Sequence, residues 1–412
     1  MANPVELIHQ DQAIGAWLYD DHLLIWDLTT KQLCLHNSSA TAIWVLLEQP
    51  QALESLATQI AELFAIPLTV AKPDVEVCLN DWLARGWVSC NANRLWQIAP
   101  KAPTSECLDP RVETVPEHPI FYRQRYRFGD VPFELVLRRD TDSLPTAGTH
   151  NFIERLKALC EGFDTTQVVA GEQGFVTLTF DDEGVIVQDN LRPHGRLIAE
   201  RLALGFIFEA FIRVSYPDRT LGLSLHAAGV KQAHCLALAG ISGAGKSTLS
   251  AYLATNNWQF FGDDVIVVEL KQGQTGPQIG LLPFPLAIGL KQGSWPILES
   301  AVPRLKLQPT HPYGEKLAKY IAIGDLPNPG FESNWDAIVL PRYKAGQDTT
   351  LMSLTPAQGL QGLLTADMTT IGDQTIESID QLLRCLSELP GFAIEYSDLE
   401  EAHRCLKQIK LS

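Results

Sequence analysis

Gly240-Ile241-Ser242-Gly243-Ala244-Gly245-Lys246-Ser247 is the stretch on which the reading of this chain turns. It fits G-x-x-x-x-G-K-[ST], a loop whose glycines let backbone N–H groups turn inward on phosphate oxygens. Cys235-Leu236-Ala237-Leu238-Ala239 before it is a short apolar run and predicts a strand. Thr248-Leu249-Ser250-Ala251-Tyr252-Leu253 after it predicts the start of a helix. Strand, glycine loop and helix form the order such a site requires, because the helix N-terminus adds a partial positive charge. In this frame Gly240, Ser242, Gly243, Ala244, Gly245, Lys246, Ser247 and Thr248 would surround ATP. Lys246 would reach the β- and γ-phosphates, and the Ser247 hydroxyl would bind Mg²⁺. The competing reading is a glycine-rich turn with no ligand.

Asp263 and Asp264 follow closely, within Phe260-Phe261-Gly262-Asp263-Asp264-Val265-Ile266-Val267-Val268. Only one helix and one short strand fit between the loop and this pair. Adjacent carboxylates at a strand–turn junction suit two tasks, holding Mg²⁺ and taking a proton from an attacking hydroxyl. Without the loop, the same pair would read as a solvated acidic turn.

These residues carry a resemblance. Leu225-His226-Ala227-Ala228, the glycine loop and Gly262-Asp263-Asp264 together look like the HPr serine kinase/phosphorylase superfamily. The stretches 283–294, 338–343 and 389–392 resemble the shorter HPr-kinase-related proteins more than true HPr kinases. The glycine-rich signature that true HPr kinases carry after their aspartates is not visible, which puts HPr itself and the reverse phosphorylase reaction in doubt. The resemblance covers residues 223–412. It implies that Asp263 is the catalytic base, that Asp264 and Ser247 hold the metal, and that His226 lies near the catalytic aspartate; the exchanged assignment of the two aspartates is the alternative. A lone histidine at a strand end can equally be structural.

Outward from this core, the 412 residues leave room for two or three domains, and a hydrophobic content of 46% is ample for packed cores. The net charge of −16 argues against nucleic acid or an anionic membrane as the main partner. The eight cysteines show no paired spacing and read as reduced thiols of a cytoplasmic protein. Residues 1–10 lack the basic end and apolar run of a signal peptide. The most apolar region, 197–214, is broken by Glu200, Arg201, Glu209 and Arg213 and reads as a buried amphipathic helix.

Residues 1–98 form a first module. Segments 13–19, 23–28 and 32–35 predict a three-strand meander. Asn37 or Ser38 then caps a helix with an apolar face of Ala40, Ile43, Trp44 and Leu47. Leu53, Leu56, Ala57, Ile60 and Phe64 predict a second helix. Val75, Leu79, Trp82 and Leu83 predict a third, ended by Gly86. Three strands and three helices suit a winged-helix fold, but Lys72 and Arg85 against Asp74, Glu76 and Asp81 are too few cations for DNA. The pattern resembles PqqD-like domains instead, at 37–44 and 83–88. That resemblance implies capture of a precursor (leader) peptide as an added strand beside the third helix. A packing or dimerisation module is the alternative.

Residues 99–119 carry five prolines and predict an extended linker. Residues 120–222 predict an α+β segment that packs on the kinase and extends its sheet. Arg123, Arg125 and Arg127 would share one strand face, either as an anion site or as a salt-bridged surface. In the 223–412 domain, 265–270 and 278–282 predict a hairpin extending the same sheet. Lys291 is a candidate phosphate or substrate contact, with a plain surface lysine as the alternative. His311, Lys316 and Lys319 lie in a segment that could be a mobile substrate loop, and Arg342 could face the nucleotide.

The fold expectation is therefore α+β and α/β multidomain: a winged-helix-like domain, an α+β middle segment and a phosphate-loop, HPr-kinase-like domain. The functional expectation is an ATP- and Mg²⁺-dependent kinase acting on a serine or threonine of a precursor peptide. Two alternatives stand beside it: a non-catalytic ATP-binding peptide adaptor, and a kinase of a small hydroxyl compound such as free serine. A homo-oligomer is compatible with each.

Overall fold

The computed structural model describes residues 6–10, 14–19, 21–28, 30–99, 111–112, 115–139, 147–165, 174–181, 184–274, 276–313, 316–323, 331, 333–366 and 368–411. Its internal contacts divide the chain into two compact units. One is Met1–Cys107 with Gln374–Ser387, and the other is Leu108–Asp373 with Glu388–Ser412.

The first unit opens on an antiparallel meander of β1 (Glu6–Gln10), β2 (Ile14–Tyr19), β3 (His22–Asp27) and β4 (Gln32–His36). Four strands stand where the sequence predicted three. β1 is short and polar at both ends, so its alternation is invisible until it pairs with β2. Helices α1 (Ser38–Leu46), α2 (Leu53–Leu63) and α3 (Leu68–Ala84) follow. The Asn37 side chain accepts from the Ala40 N–H at 3.0 Å and caps α1. Gly86, at φ 72°, lets the chain turn away after α3. Strands Val88–Cys90 and Leu95–Ile98 then form a hairpin.

The core of this unit is rich in tryptophan. Trp44 and Trp82 meet edge to face at 5.3 Å, and His36 lies between Trp82 and Trp87. Buried Asp27 accepts from Trp87 Nε1 at 2.7 Å, which joins the meander to the turn after α3. Helix Ile376–Glu388, counted with the C-terminal domain in the sequence, groups with this unit over Gln374–Ser387. There Trp17 Nε1 donates to Asp380 at 2.9 Å.

The second unit contains a six-stranded sheet in the order Arg111–Val112, Arg192–Ile198, Val185–Asp189, Gly174–Phe180, Phe133–Arg139 and Ile120–Tyr126. The middle segment thus builds its own sheet rather than extending the one that carries the glycine loop. Most of the predicted linker lies outside the described residues, but Arg111–Val112 within it is a strand. The helix expected over 197–214 begins only at Ala203, because Leu197 and Ile198 pair with Ile186 and Val185. Arg123 and Arg125 lie 3.6 and 3.7 Å from Glu134, so this face is salt-bridged.

A second six-stranded sheet runs Gln259–Gly262, Ala228–Lys231, Cys235–Leu238, Ala337–Tyr343, Gly391–Tyr396 and Thr350–Leu354. Its three central strands are parallel. The hairpin Ile266–Gln272 with Pro277–Leu282 does not extend this sheet. It pairs with Leu221–Leu225, which in turn pairs with Met368–Thr370. An aromatic cluster joins the middle segment to the rest: Phe133 lies 4.8 Å from Phe211, and Phe128 lies 5.3 Å from Phe284. The Tyr216 hydroxyl donates to the Pro283 carbonyl beside it.

Replacing Trp87 with Phe removes the N–H donor from a carboxylate that is 2% exposed. The expected cost is about 1–3 kcal/mol, seen as a lower urea midpoint for the first unit. An unchanged midpoint would show that this bond contributes nothing to stability.

Candidate functional site

The strand Cys235–Leu238 is buried along its length, and Ala239 N donates to Val339 O at 2.9 Å as the chain leaves the sheet. The next residues form the glycine loop. Gly240, Gly243 and Gly245 have φ of 138°, 89° and 97°, where a side chain would be strained. Gly245 has a second constraint, since a β-carbon there would stand 2.5 Å from the Tyr396 hydroxyl. That hydroxyl donates to Gly245 O at 3.2 Å, and Tyr343 N donates to Ala244 O at 3.1 Å. The loop is therefore held by the ends of two parallel strands. Helix Lys246–Thr255 begins directly after it, and no side chain caps its first turn.

Lys246 is only 5% exposed, and its Nζ folds back on the loop, 2.7 Å from Gly240 O and 3.4 Å from Ile241 O. Burial lowers its pKa, while Asp263 and Asp264 oppose that shift. The two aspartates leave strand Gln259–Gly262 in opposite environments. Asp263 is 4% exposed and accepts from Ser250 Oγ at 3.3 Å, with the Ser247 hydroxyl also beside it. Its Oδ2 is buried without a hydrogen-bond partner. Burial, and next the Asp264 charge, push its pKa up to about 7, against the pull of Ser247, Lys246 and Ser250. Asp264, at φ 62°, is 45% exposed and lies 3.7 Å from His226 Nε2.

The fold thus brings Lys246, Ser247, Asp263, Asp264 and His226 to one place. Ser250 and Tyr396 were missed, since neither lies in a recognisable pattern. Thr248 bonds to Ser294 at 2.7 Å, and Lys291 Nζ lies 3.4 Å from Ser242 Oγ. Lys319 is not in a mobile loop. It is buried, donates to Leu305 O at 2.9 Å and covers the Trp295 ring. Gly314 and Glu315 of that expected loop lie outside the described residues. Exposed Arg342 helps to line a cavity of about 500 Å³ beside the loop, with Ala244, Leu340, Tyr343, Met352 and Glu395. Among the described residues, no cluster of three or more His, Cys, Asp or Glu could by itself hold a metal ion.

The first unit carries a separate groove of about 710 Å³ between β4 and the helices. Leu35, His36, Ile43, Phe64, Val75 and Val77 contribute to it. Burial, aided by Arg85, holds His36 down to about 4, so its ring is neutral at pH 7. Val77, on α3, is 69% exposed. The groove is mainly apolar, with Asp74 at its edge.

The sequence pattern of the family described as coenzyme PQQ synthesis protein D (PqqD) matches residues 27–88. A PqqD domain therefore lies at the N-terminal end of the chain, over β4 and α1–α3. No curated protein matches the chain. Among the described residues, no helix is long and apolar enough to cross a membrane.

The buried Asp263 carboxyl makes stability depend on pH. Its folded pKa of about 7 lies above the ordinary carboxylate value of 3.8. Between those values the unfolded chain ionises while the folded chain stays protonated, so this group's contribution falls as pH rises. Above pH 7 the penalty is constant. Asp263→Asn lacks this ionisation. Its melting temperature, without metal or nucleotide, should gain on wild type from pH 4 to pH 7 and then hold level. A pH-independent difference would remove the buried-acid account.

Proposed function

We propose that this chain is an ATP-dependent kinase that phosphorylates a serine or threonine hydroxyl of a ribosomally made precursor peptide held by its PqqD domain. One observation carries the catalytic part: a lysine, a serine and two aspartates in unlike environments converge at a glycine loop that leads from a buried strand into a helix. The peptide part is supported by the PqqD match, because PqqD domains recognise precursor peptides. We read residues 223–412 as HPr-kinase-related on the same residues.

ATP would lie along residues 240–248, with backbone N–H groups and Lys246 on its phosphates. The donor set fits Mg²⁺. The unpartnered Oδ2 of Asp263 is a buried acceptor beside the Ser247 hydroxyl, and phosphate oxygens would complete the shell. When bound, Mg²⁺ neutralises phosphate charge. This favours exchanged roles for the two aspartates relative to the sequence expectation. Asp263 would hold the metal, and Asp264, exposed and beside His226, would be the base.

The acceptor oxygen attacks the γ-phosphorus, and a new P–O bond forms as the bond to the β–γ bridging oxygen breaks. ADP departs, and the hydroxyl proton passes to the Asp264 carboxylate. His226 orients that carboxylate. Lys246 stabilises charge on the transferring group.

The leader of the precursor would rest in the groove between β4 and α3, where its binding energy acts on KM. The adaptor reading predicts ATP binding with no transfer. The small-molecule reading predicts equal rates with and without a leader.

Transfer of labelled γ-phosphate to a leader-bearing peptide, the leaderless peptide and free serine tests these readings together. Lys246→Ala should abolish transfer. Asp264→Asn should keep nucleotide binding and lose roughly 10²–10⁴ in turnover, the range of a lost general base. Asp263→Asn should instead raise the Mg²⁺ concentration needed. No transfer to any acceptor would overturn the kinase reading.

Val77→Glu, at the rim of the groove, should raise KM for the leader-bearing peptide by about tenfold, the size of one lost anchor. The leaderless peptide should be unaffected. Equal effects on both would sink the docking role of the groove.

A further inference from the structure

Lys291 ends the strand Ile288–Lys291, and its residue pairs with Ala318 on Lys316–Ile321. Its position is fixed from three sides. The ammonium sits over the Tyr313 ring at 5.1 Å, and the Arg155 guanidinium lies 4.9 Å from the same ring. Trp295 Nε1 donates to Leu290 O at 2.8 Å. The turn Gln292–Ser294 is tied to the loop helix by the 2.7 Å contact between the Thr248 and Ser294 hydroxyls.

From this mount Lys291 Nζ reaches Ser242 Oγ, at 3.4 Å. Ser242 directly follows Gly240 and Ile241, whose carbonyls hold the Lys246 ammonium. A lysine at the Lys246 position serves the β- and γ-phosphates. Lys291 therefore borders the same space from outside the loop. Among the described residues it forms no ion pair with a carboxylate, and its charge opposes that of Lys246. Asp263 and Asp264 offset part of the charge at Lys246, and an anion bound between the two ammonium groups would relieve the repulsion that remains.

We propose that Lys291 is a second cation for the terminal phosphate of the bound nucleotide, so that the site distinguishes a triphosphate from a diphosphate. The proposal rests on the nucleotide reading of the glycine loop. Lys291 donates to an oxygen of the γ-phosphate opposite Lys246, and the diphosphate lacks that oxygen. A rigid strand and an aromatic ring carry the charge, so little side-chain freedom is lost on binding.

The test is calorimetric binding of ADP and a non-hydrolysable ATP analogue to the full chain with Mg²⁺. It compares wild type, Lys291→Met and Lys291→Arg, with melting curves to confirm folding. Lys291→Met should lose about 10- to 100-fold in affinity for the triphosphate, as for one charge-assisted bond, and stay within about twofold for ADP. Lys291→Arg should recover much of the loss. If Lys291→Met does not fold, Ser294→Ala replaces it. That variant unties the turn while keeping the lysine, and should show a smaller loss with the same triphosphate selectivity. Equal losses for both nucleotides, or no loss for the triphosphate, would overturn the proposal and leave the nucleotide reading standing. A wild-type chain that binds neither nucleotide would overturn both.

Discussion

The backbone of Gly245 passes so close to the Tyr396 hydroxyl that no side chain fits between them. This contact fixes the glycine loop to the end of the strand Gly391–Tyr396, and the Tyr343 N–H holds the neighbouring carbonyl from the adjacent strand. Both strands are parallel to the one that enters the loop. The position of Lys246, the start of its helix and the depth of Ser247 follow from where the two tyrosines stop the loop. Residues about 100 and 150 positions downstream thus set the geometry of an eight-residue motif.

The two aspartates show how one dipeptide can occupy two environments. Asp263 faces inward on the loop helix, beside Ser250, and is desolvated. Asp264 takes a left-handed backbone turn that directs it out toward His226. The raised proton affinity of Asp263 comes from burial more than from the charges near it. One carboxylate is thereby buried and the other faces solvent while they remain adjacent in the chain.

The glycine loop was legible because its backbone angles permit few residues, so its conformation is written as identities at fixed spacing. Helices α1–α3 were legible from apolar periodicity and from the Asn37 cap. What the sequence hid depends on tertiary partners. Leu197 and Ile198 suit a helix or a strand equally, and pairing with Val185 and Ile186 decides it. Lys319 sits in a polar stretch, yet Trp295 and the Leu305 carbonyl hold it inside. Neither the burial of Asp263 nor the exposure of Asp264 could be read from two identical letters. The middle segment offered no motif, so its separate sheet was unforeseen.

The aromatic cluster around Phe284 bears on how such a chain can be inherited. Phe128, Phe133 and Phe211 come from the middle segment, whereas Phe284 follows the aspartates and the hairpin after them. Arg155, also from the middle segment, lies over the ring of Tyr313. A recombination breakpoint near residue 222 would divide one hydrophobic core between two genes and leave both products with an open aromatic face. Gene fusion or exchange of recognition modules would therefore carry the middle segment and the glycine-loop half together, as a single heritable cassette.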